Sequence, residues 1–252
     1  MMRIAVIFRQ SLLGSYSSSY PTISKLSTIN TFSSVASSIP YQPNGNDPTN
    51  SSKTSASHGK ASSTAQILQQ SILTRRSVNQ FLPTLPGDWR EKLARALEAA
   101  RHAPNHKRTE PWRFYVFGPK STDALLDVVM DVAMRKSERA PSLLSHMDRW
   151  RQVPQFLAVT AARTRDDPVR EQEDFAATCC AIQNMMLVLH SEGIGTKWVT
   201  GDVIKHPSLM SLLRADANKE RLVGLFWVGI PAVVPKSPFK QKSVNDMTVQ
   251  LY

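Results

Sequence analysis

Residues 173–201 read EDFAATCCAIQNMMLVLHSEGIGTKWVTG, and the fold turns on how this stretch is understood. From 173 to 191 the segment has helical spacing and is apolar on most faces, the pattern of a helix packed centrally rather than laid on a surface. Gly193 and Gly195 punctuate its end, as residues tolerant of the left-handed region do. Residues 196–199 then read as a short strand. Cys179 and Cys180 lie side by side in the helix; neighbours there point about 100° apart, so the pair is poorly placed for a disulfide and reads as core packing. They are the only cysteines, which excludes a disulfide-stapled fold or a zinc site built mainly of thiolates.

Outward from this helix, residues 222–230 (LVGLFWVGI), 155–161 (QFLAVTA) and 112–117 (WRFYVF) read as strands. The spacing of Ile67, Leu68, Ile72 and Leu73 predicts a helix over 64–76. Asp88, with Glu91 three residues later, predicts a capping box opening a second helix that stops near Ala103-Pro104. Further helices are predicted over 121–137, 143–151 and 207–213, and an extended Pro- and Lys-rich tail follows Pro231. No internal repeat occurs. Helices packed on a modest sheet result, with the strand order left open by the irregular connections.

Charge and composition divide the chain. It carries 31 Lys+Arg against 20 Asp+Glu, a net +11. The first 65 residues are rich in Ser and Thr and hold five basic residues against one acid, Asp47. Residues 1–40 contain Arg, much Ser, scattered Ile, Leu and Phe, and no acid, which are the features of an organelle transit peptide. Mitochondrion is the first expectation and plastid the alternative. The apolar run behind Arg3 is interrupted by Arg9 and Gln10, too soon for a secretory signal core. Residues 41–65 lack hydrophobic periodicity and read as a disordered linker. Residues 66–252 are long enough for one domain burying roughly 70% of its unfolded surface. No apolar run reaches the roughly 18–20 residues of a membrane-spanning helix. The basic balance also raises a nucleic-acid-binding module, although no nucleic-acid motif accompanies it.

Three motifs carry chemistry, each with a plainer alternative. Arg75-Arg76-Ser77 closes a helix; two guanidiniums and a hydroxyl can hold a phosphate, or the arginines can merely offset the helix dipole. The segment from Ala103 to Trp112 contains His106 and Lys107, donors for an anionic or carbonyl-rich ligand, or a solvated turn. Gly193-Ile194-Gly195 follows a helix instead of opening one, so it is not a dinucleotide fingerprint. Six scattered histidines without HExxH predict no metal, and neither a GxSxG elbow nor a GxxxxGK[ST] loop occurs.

Taken in order, Arg75-Arg76-Ser77-x-x-x-Phe81, Ala103-Pro104-x-His106-Lys107-x-x-x-Pro111-Trp112, Gly193-x-Gly195-x-x-Trp198 and Val223-Gly224…Gly229-x-Pro231 closely resemble the FMN-dependent nitroreductase family. The match spans about residues 66–235, and the His-Lys version of the second motif is most similar to compact, single-domain NAD(P)H nitroreductases. The resemblance implies an α+β fold, a nitroreductase-like mixed sheet flanked by helices, with FMN at a homodimer interface. Arg75, Arg76 and Ser77 would hold the FMN phosphate and ribityl chain. His106, with His102 or Arg101, would reach the FMN of the partner subunit, and Trp198, Val199 and Thr200 would line the flavin on its own side. Lys240 or Lys242 would complete the phosphate site.

The implied activity passes electrons from NAD(P)H, by a ping-pong hydride mechanism, to nitroaromatic, quinone or similar small-molecule acceptors. No catalytic side chain is expected, because the flavin carries the chemistry. His106 and Lys107 would supply positive charge near it. Neither nucleic acid nor membrane is expected as a partner. Two departures from the family pattern, Asn79 where many relatives have arginine and Glu110 where an amide is usual, keep open a flavin-binding member without reductase turnover.

Overall fold

The computed structural model describes residues 63–135, 140–236 and 242–251. The expected transit peptide and nearly all of the expected linker therefore lie outside the described residues. Helix α1 (Thr64–Thr74) opens with a reciprocal capping box. The Ser63 hydroxyl accepts from the Gln66 amide at 3.3 Å, and the Gln66 side-chain oxygen accepts from the Ser63 amide at 2.9 Å. The box expected at Asp88 does not form. Asp88 has φ −93° and ψ 16°, not the extended backbone that turns a capping side chain onto the first turn, and its carboxylate instead pairs with Lys92 at 3.4 Å.

The elements that follow are α2 (Trp89–Arg101), β1 (Trp112–Val116), α3 (Pro119–Arg135), α4 (Ala140–Arg151), β2 (Gln155–Ala162), α5 (Pro168–Ser191), β3 (Gly195–Val199), α6 (Pro207–Leu212) and β4 (Glu220–Gly229). Helix α5 begins five residues before the predicted start. Asp167 accepts from the Arg170 amide at 3.0 Å, and Pro168 sits in the first turn, where a missing N–H costs nothing.

The strands form one sheet in the order β1-β2-β4-β3, every neighbouring pair antiparallel. Among the described residues its parallel component is a single bridge, Ser77 to Thr196, which ties the segment after α1 to the edge strand β3. Side chains alternate across the pleat into two cores. One contains Leu93 and Ala96 of α2, Ile182 and Met185 of α5, and Phe226 and Val228 of β4. The other contains Leu125 and Val129 of α3, Met147 and Trp150 of α4, and Leu225 and Trp227 of β4. Thus α5 is buried against the sheet on one side, as its apolar character predicts, while α3 and α4 cover the other.

Candidate functional site

After α1 the chain leaves helical geometry at Arg75 (φ −57°, ψ 131°) and runs extended along the sheet edge. The Val78 amide donates to Thr196 O at 3.0 Å, and the Leu82 amide to Ile230 O at 2.9 Å. Val78 and Phe81 are buried and anchor the run. Gly195 permits the close approach, since a Cβ there would lie 2.5 Å from Val78 Cγ2. The consequence is a cavity of about 550 Å³ at the end of α1. Arg75, Arg76 and Lys236 line it with three cationic side chains, Ser77 and Asn79 add a hydroxyl and an amide, and Ile72 and Leu73 form an apolar wall.

Among the described residues no carboxylate lines this cavity. Burial, and then the charge of Arg76, pull the pKa of Arg75 below its ordinary value. Arg76 Nη1 donates to Arg75 O at 2.8 Å, which holds the pair together despite like charge. His190, at the end of α5, stands 3.0 Å from the Thr74 hydroxyl. That hydroxyl already donates its proton to Gln70 O at 2.7 Å, so the imidazole Nε2 is the donor in the contact. Burial first, then Arg75 and Arg76, lower the His190 pKa and favour the neutral ring. Concentrated positive charge, a size suited to a small ligand and an adjoining apolar wall fit a phosphorylated, partly apolar molecule.

The sequence motifs reach this corner unevenly. Arg75, Arg76 and Ser77 line the cavity together with Asn79. Lys240 lies outside the described residues and Lys242 is exposed; the tail lysine that lines the cavity is Lys236. Trp198, Val199 and Thr200 do not line the cavity. The pleat turns Trp198 toward the α5 side and Val199 toward the α3 side, and Thr200 is exposed past the strand end. The Trp198 indole lies against Gly224, 5.5 Å from Phe226, and its Nε1 donates to Val223 O at 3.3 Å. That carbonyl sits where the β2–β4 register shifts, between the Val159–Gly224 and Thr160–Leu222 pairs.

The second motif forms a separate group. His106 Nδ1 is 2.8 Å from Glu173 Oε2, and His102 Nε2 is 3.1 Å from Glu98 Oε1. Arg101 also pairs with Glu98, at 3.2 Å, and all three residues are exposed. Between them and β1 the backbone is strained: Lys107 and Arg108 have φ 54° and Glu110 has φ 43°. Three left-handed non-glycine residues cost of order 1–3 kcal/mol each and persist only where their surroundings impose them. The Asn105 side chain helps, accepting from the Glu110 amide at 3.1 Å and donating to Ala103 O at 3.2 Å.

Helix α5 measures the separation of the two groups. His106 meets it at Glu173, while Thr74 meets it at His190, seventeen residues further along. At 1.5 Å per residue the two contacts are roughly 25 Å apart. Within one chain, the arginine corner and the His106 loop do not share a pocket.

The chain is similar to several known proteins. The pattern of the Nitroreductase family matches residues 72–230. The Bacillus subtilis protein named "Putative NAD(P)H nitroreductase YfhC" is 30% identical over 197 residues, covering 75% of this chain and 98% of that protein. A nitroreductase-like family protein of Bacillus cereus superposes with a TM-score of 0.65 at 24% identity, over 78% of this chain and 99% of that one. A mutant of the FMN- and NADPH-dependent nitroreductase NfnB of a Sphingopyxis strain superposes with a TM-score of 0.58 at 18% identity, over 73% of this chain and 98% of that one. These structural likenesses concern the fold.

Proposed function

The chain belongs to the nitroreductase family, and from that premise we propose that it is an FMN-dependent oxidoreductase passing electrons from NAD(P)H to nitroaromatic, quinone or similar conjugated acceptors. The observation that carries this reading is the cavity with Arg75, Arg76, Ser77 and Lys236 in its wall. When bound, FMN supplies a two-electron carrier between a nicotinamide and an acceptor. The chain supplies its anchorage. Two guanidiniums offer forked, charge-assisted donors to a phosphate, Lys236 adds a point charge, and Ser77 and Asn79 offer neutral donors to the polar chain beyond it. Past Thr196 the outer edge of β3 has no ladder partner among the described residues, so the backbone at Trp198, Val199 and Thr200 is where this chain can contact the flavin ring.

The functional unit in this reading is a homodimer, each flavin held by the arginine corner of one chain and approached by the His106 loop of the other. Two observations support it. The loop lies too far from its own arginine corner for one flavin to bridge. Helix α1 has no buried residue and exposes Ile67, Leu68, Ile72 and Leu73, while Val244, Met247, Val249 and Leu251 of the tail are exposed as well. Import into an organelle, mitochondrion or plastid, is proposed from the composition of residues 1–40 alone; a fusion of that leader to a fluorescent protein should be imported, and a cytosolic signal would count against it.

The test is the visible spectrum of the purified chain, with released cofactor identified by chromatography, followed by NADH and NADPH oxidation with a quinone and a nitroaromatic. Bound FMN and turnover are expected. Arg75→Ala with Arg76→Ala should weaken FMN binding at least about a hundredfold, because each charge-assisted contact is worth roughly 1.5–3 kcal/mol. Protein that stays colourless after FMN is added would overturn the reading. Bound FMN without oxidation of either nicotinamide would leave the flavin-binding alternative.

A further inference from the structure

The loop at 103–111 is gripped by a residue that neither the motifs nor the flavin reading uses. Asp174, in the second turn of α5, is only 2% exposed. Its Oδ1 accepts from the Thr109 hydroxyl at 2.5 Å, while Oδ2 has no hydrogen-bond partner among the described residues and lies 3.8 Å from Arg170 Nε. A buried carboxylate with so little compensation is costly, and buried oxygens seldom go unbonded. Its one strong contact is to the loop.

That contact falls where the backbone is strained. Lys107 and Arg108 precede Thr109 and Glu110 follows it, all at positive φ. Asn105 and Thr109 are half-buried, whereas His106, Lys107, Arg108 and Glu110 are exposed. The Asn105 bonds close the loop on itself, and the His106–Glu173 pair is exposed and therefore weak. Among the side-chain hydrogen bonds of residues 105–110 to other described residues, Thr109 to Asp174 is the one that reaches a buried residue of α5.

We propose that Asp174 is a positioning residue: through Thr109 it locks residues 105–110 in the backbone form that holds Lys107, Arg108 and Glu110 left-handed, and so fixes where His106, Lys107 and Arg108 stand relative to a ligand held by a second copy. The identity of that ligand as FMN rests on the reading above; the lock itself concerns this chain alone.

The test compares Thr109→Val, Thr109→Ser and Asp174→Asn in the full 252-residue chain. Hydrogen exchange of the 103–111 amides is followed without and with FMN, alongside FMN affinity by fluorescence. Val, which removes the donor, should speed loop exchange roughly ten- to hundredfold, the worth of a hydrogen bond to a charged group, and Asn, which keeps an oxygen acceptor but loses the charge, should speed it less; both should leave β2 and β4 protected. Val should also weaken FMN binding about tenfold or more, as expected when a ligand-approaching group is displaced. Ser, which keeps the hydroxyl, should match the wild type in both. Thr109→Val exchanges one hydroxyl for a methyl at a half-buried site, so it carries the test even if Asp174→Asn fails to fold. Unchanged loop exchange in the Val variant overturns the lock. Faster exchange with unchanged FMN affinity overturns the positioning role. Wild-type protein that takes up no FMN overturns the flavin reading instead, and the exchange comparison then decides the lock.

Discussion

His190 reports on the arginine corner more directly than the arginines themselves, because it titrates within reach of physiological pH. Burial and the neighbouring guanidiniums hold its pKa below the ordinary 6.5. The folded chain therefore binds fewer protons at His190 than the unfolded chain just below that pH. Its contribution to stability is complete above 6.5 and is lost as pH falls through that window. An anion between Arg75 and Arg76 offsets their charge, so adding FMN should raise the His190 pKa, read from its ring proton resonances by NMR. A pKa that does not move would place the phosphate elsewhere. Gly224 offers a second prediction at this scale. A methyl there would enter the Trp198 indole, so Gly224→Ala should cost about 1–3 kcal/mol in denaturant unfolding and change the near-ultraviolet tryptophan signal. Unchanged stability would mean the indole can move aside freely. Arg75, Arg76 and Ser77 were legible in the sequence because they are consecutive. His190 and Lys236 were not, since only folding brings their separate segments to the corner. Asp174 was not legible either, because burial leaves no trace in the spacing of acids.

Helix α1 shows how far periodicity carries at the scale of an element. Ile67, Leu68, Ile72 and Leu73 predicted a helix, and the helix is present, yet its apolar side chains are half or more exposed. Spacing reveals that a stripe exists but not what covers it. If a second copy does, Leu68→Glu should leave the fold intact and shift the protein to monomers in sedimentation velocity. A charge in a desolvated interface is expensive, whereas at an exposed position it is nearly neutral. Dimers persisting at wild-type affinity would mean α1 faces solvent. The early start of α5 has a related cause. Asp167 and Pro168 signal a helix N-terminus only once one knows that the backbone turns there, and the apolar pattern begins later, at Phe175. For β3, the strand was visible in its residues. The pleat sends the side chains of Trp198 and Val199 to opposite faces of the sheet.

At the scale of the whole molecule, the decisive feature is that two motifs adjacent in the chain are remote in the fold. The order β1-β2-β4-β3 places the loop before β1 at one edge of the sheet and Ser77, bridged to β3, at the other. No spacing in the sequence announces this, because strand order depends on how irregular connections cross the sheet. The central claim is that one flavin site needs both groups, drawn from two chains. It is tested by co-expressing two variants, one carrying Arg75→Ala and Arg76→Ala, the other His106→Ala and Lys107→Ala, and measuring NAD(P)H-dependent quinone reduction. In a mixed dimer one site bears both lesions and the other bears none. Random pairing should then restore about a quarter of wild-type sites, well above the mean of the two variants alone. Activity no higher than that mean would show that both groups serve a site within a single chain, or that only one of them serves the flavin at all.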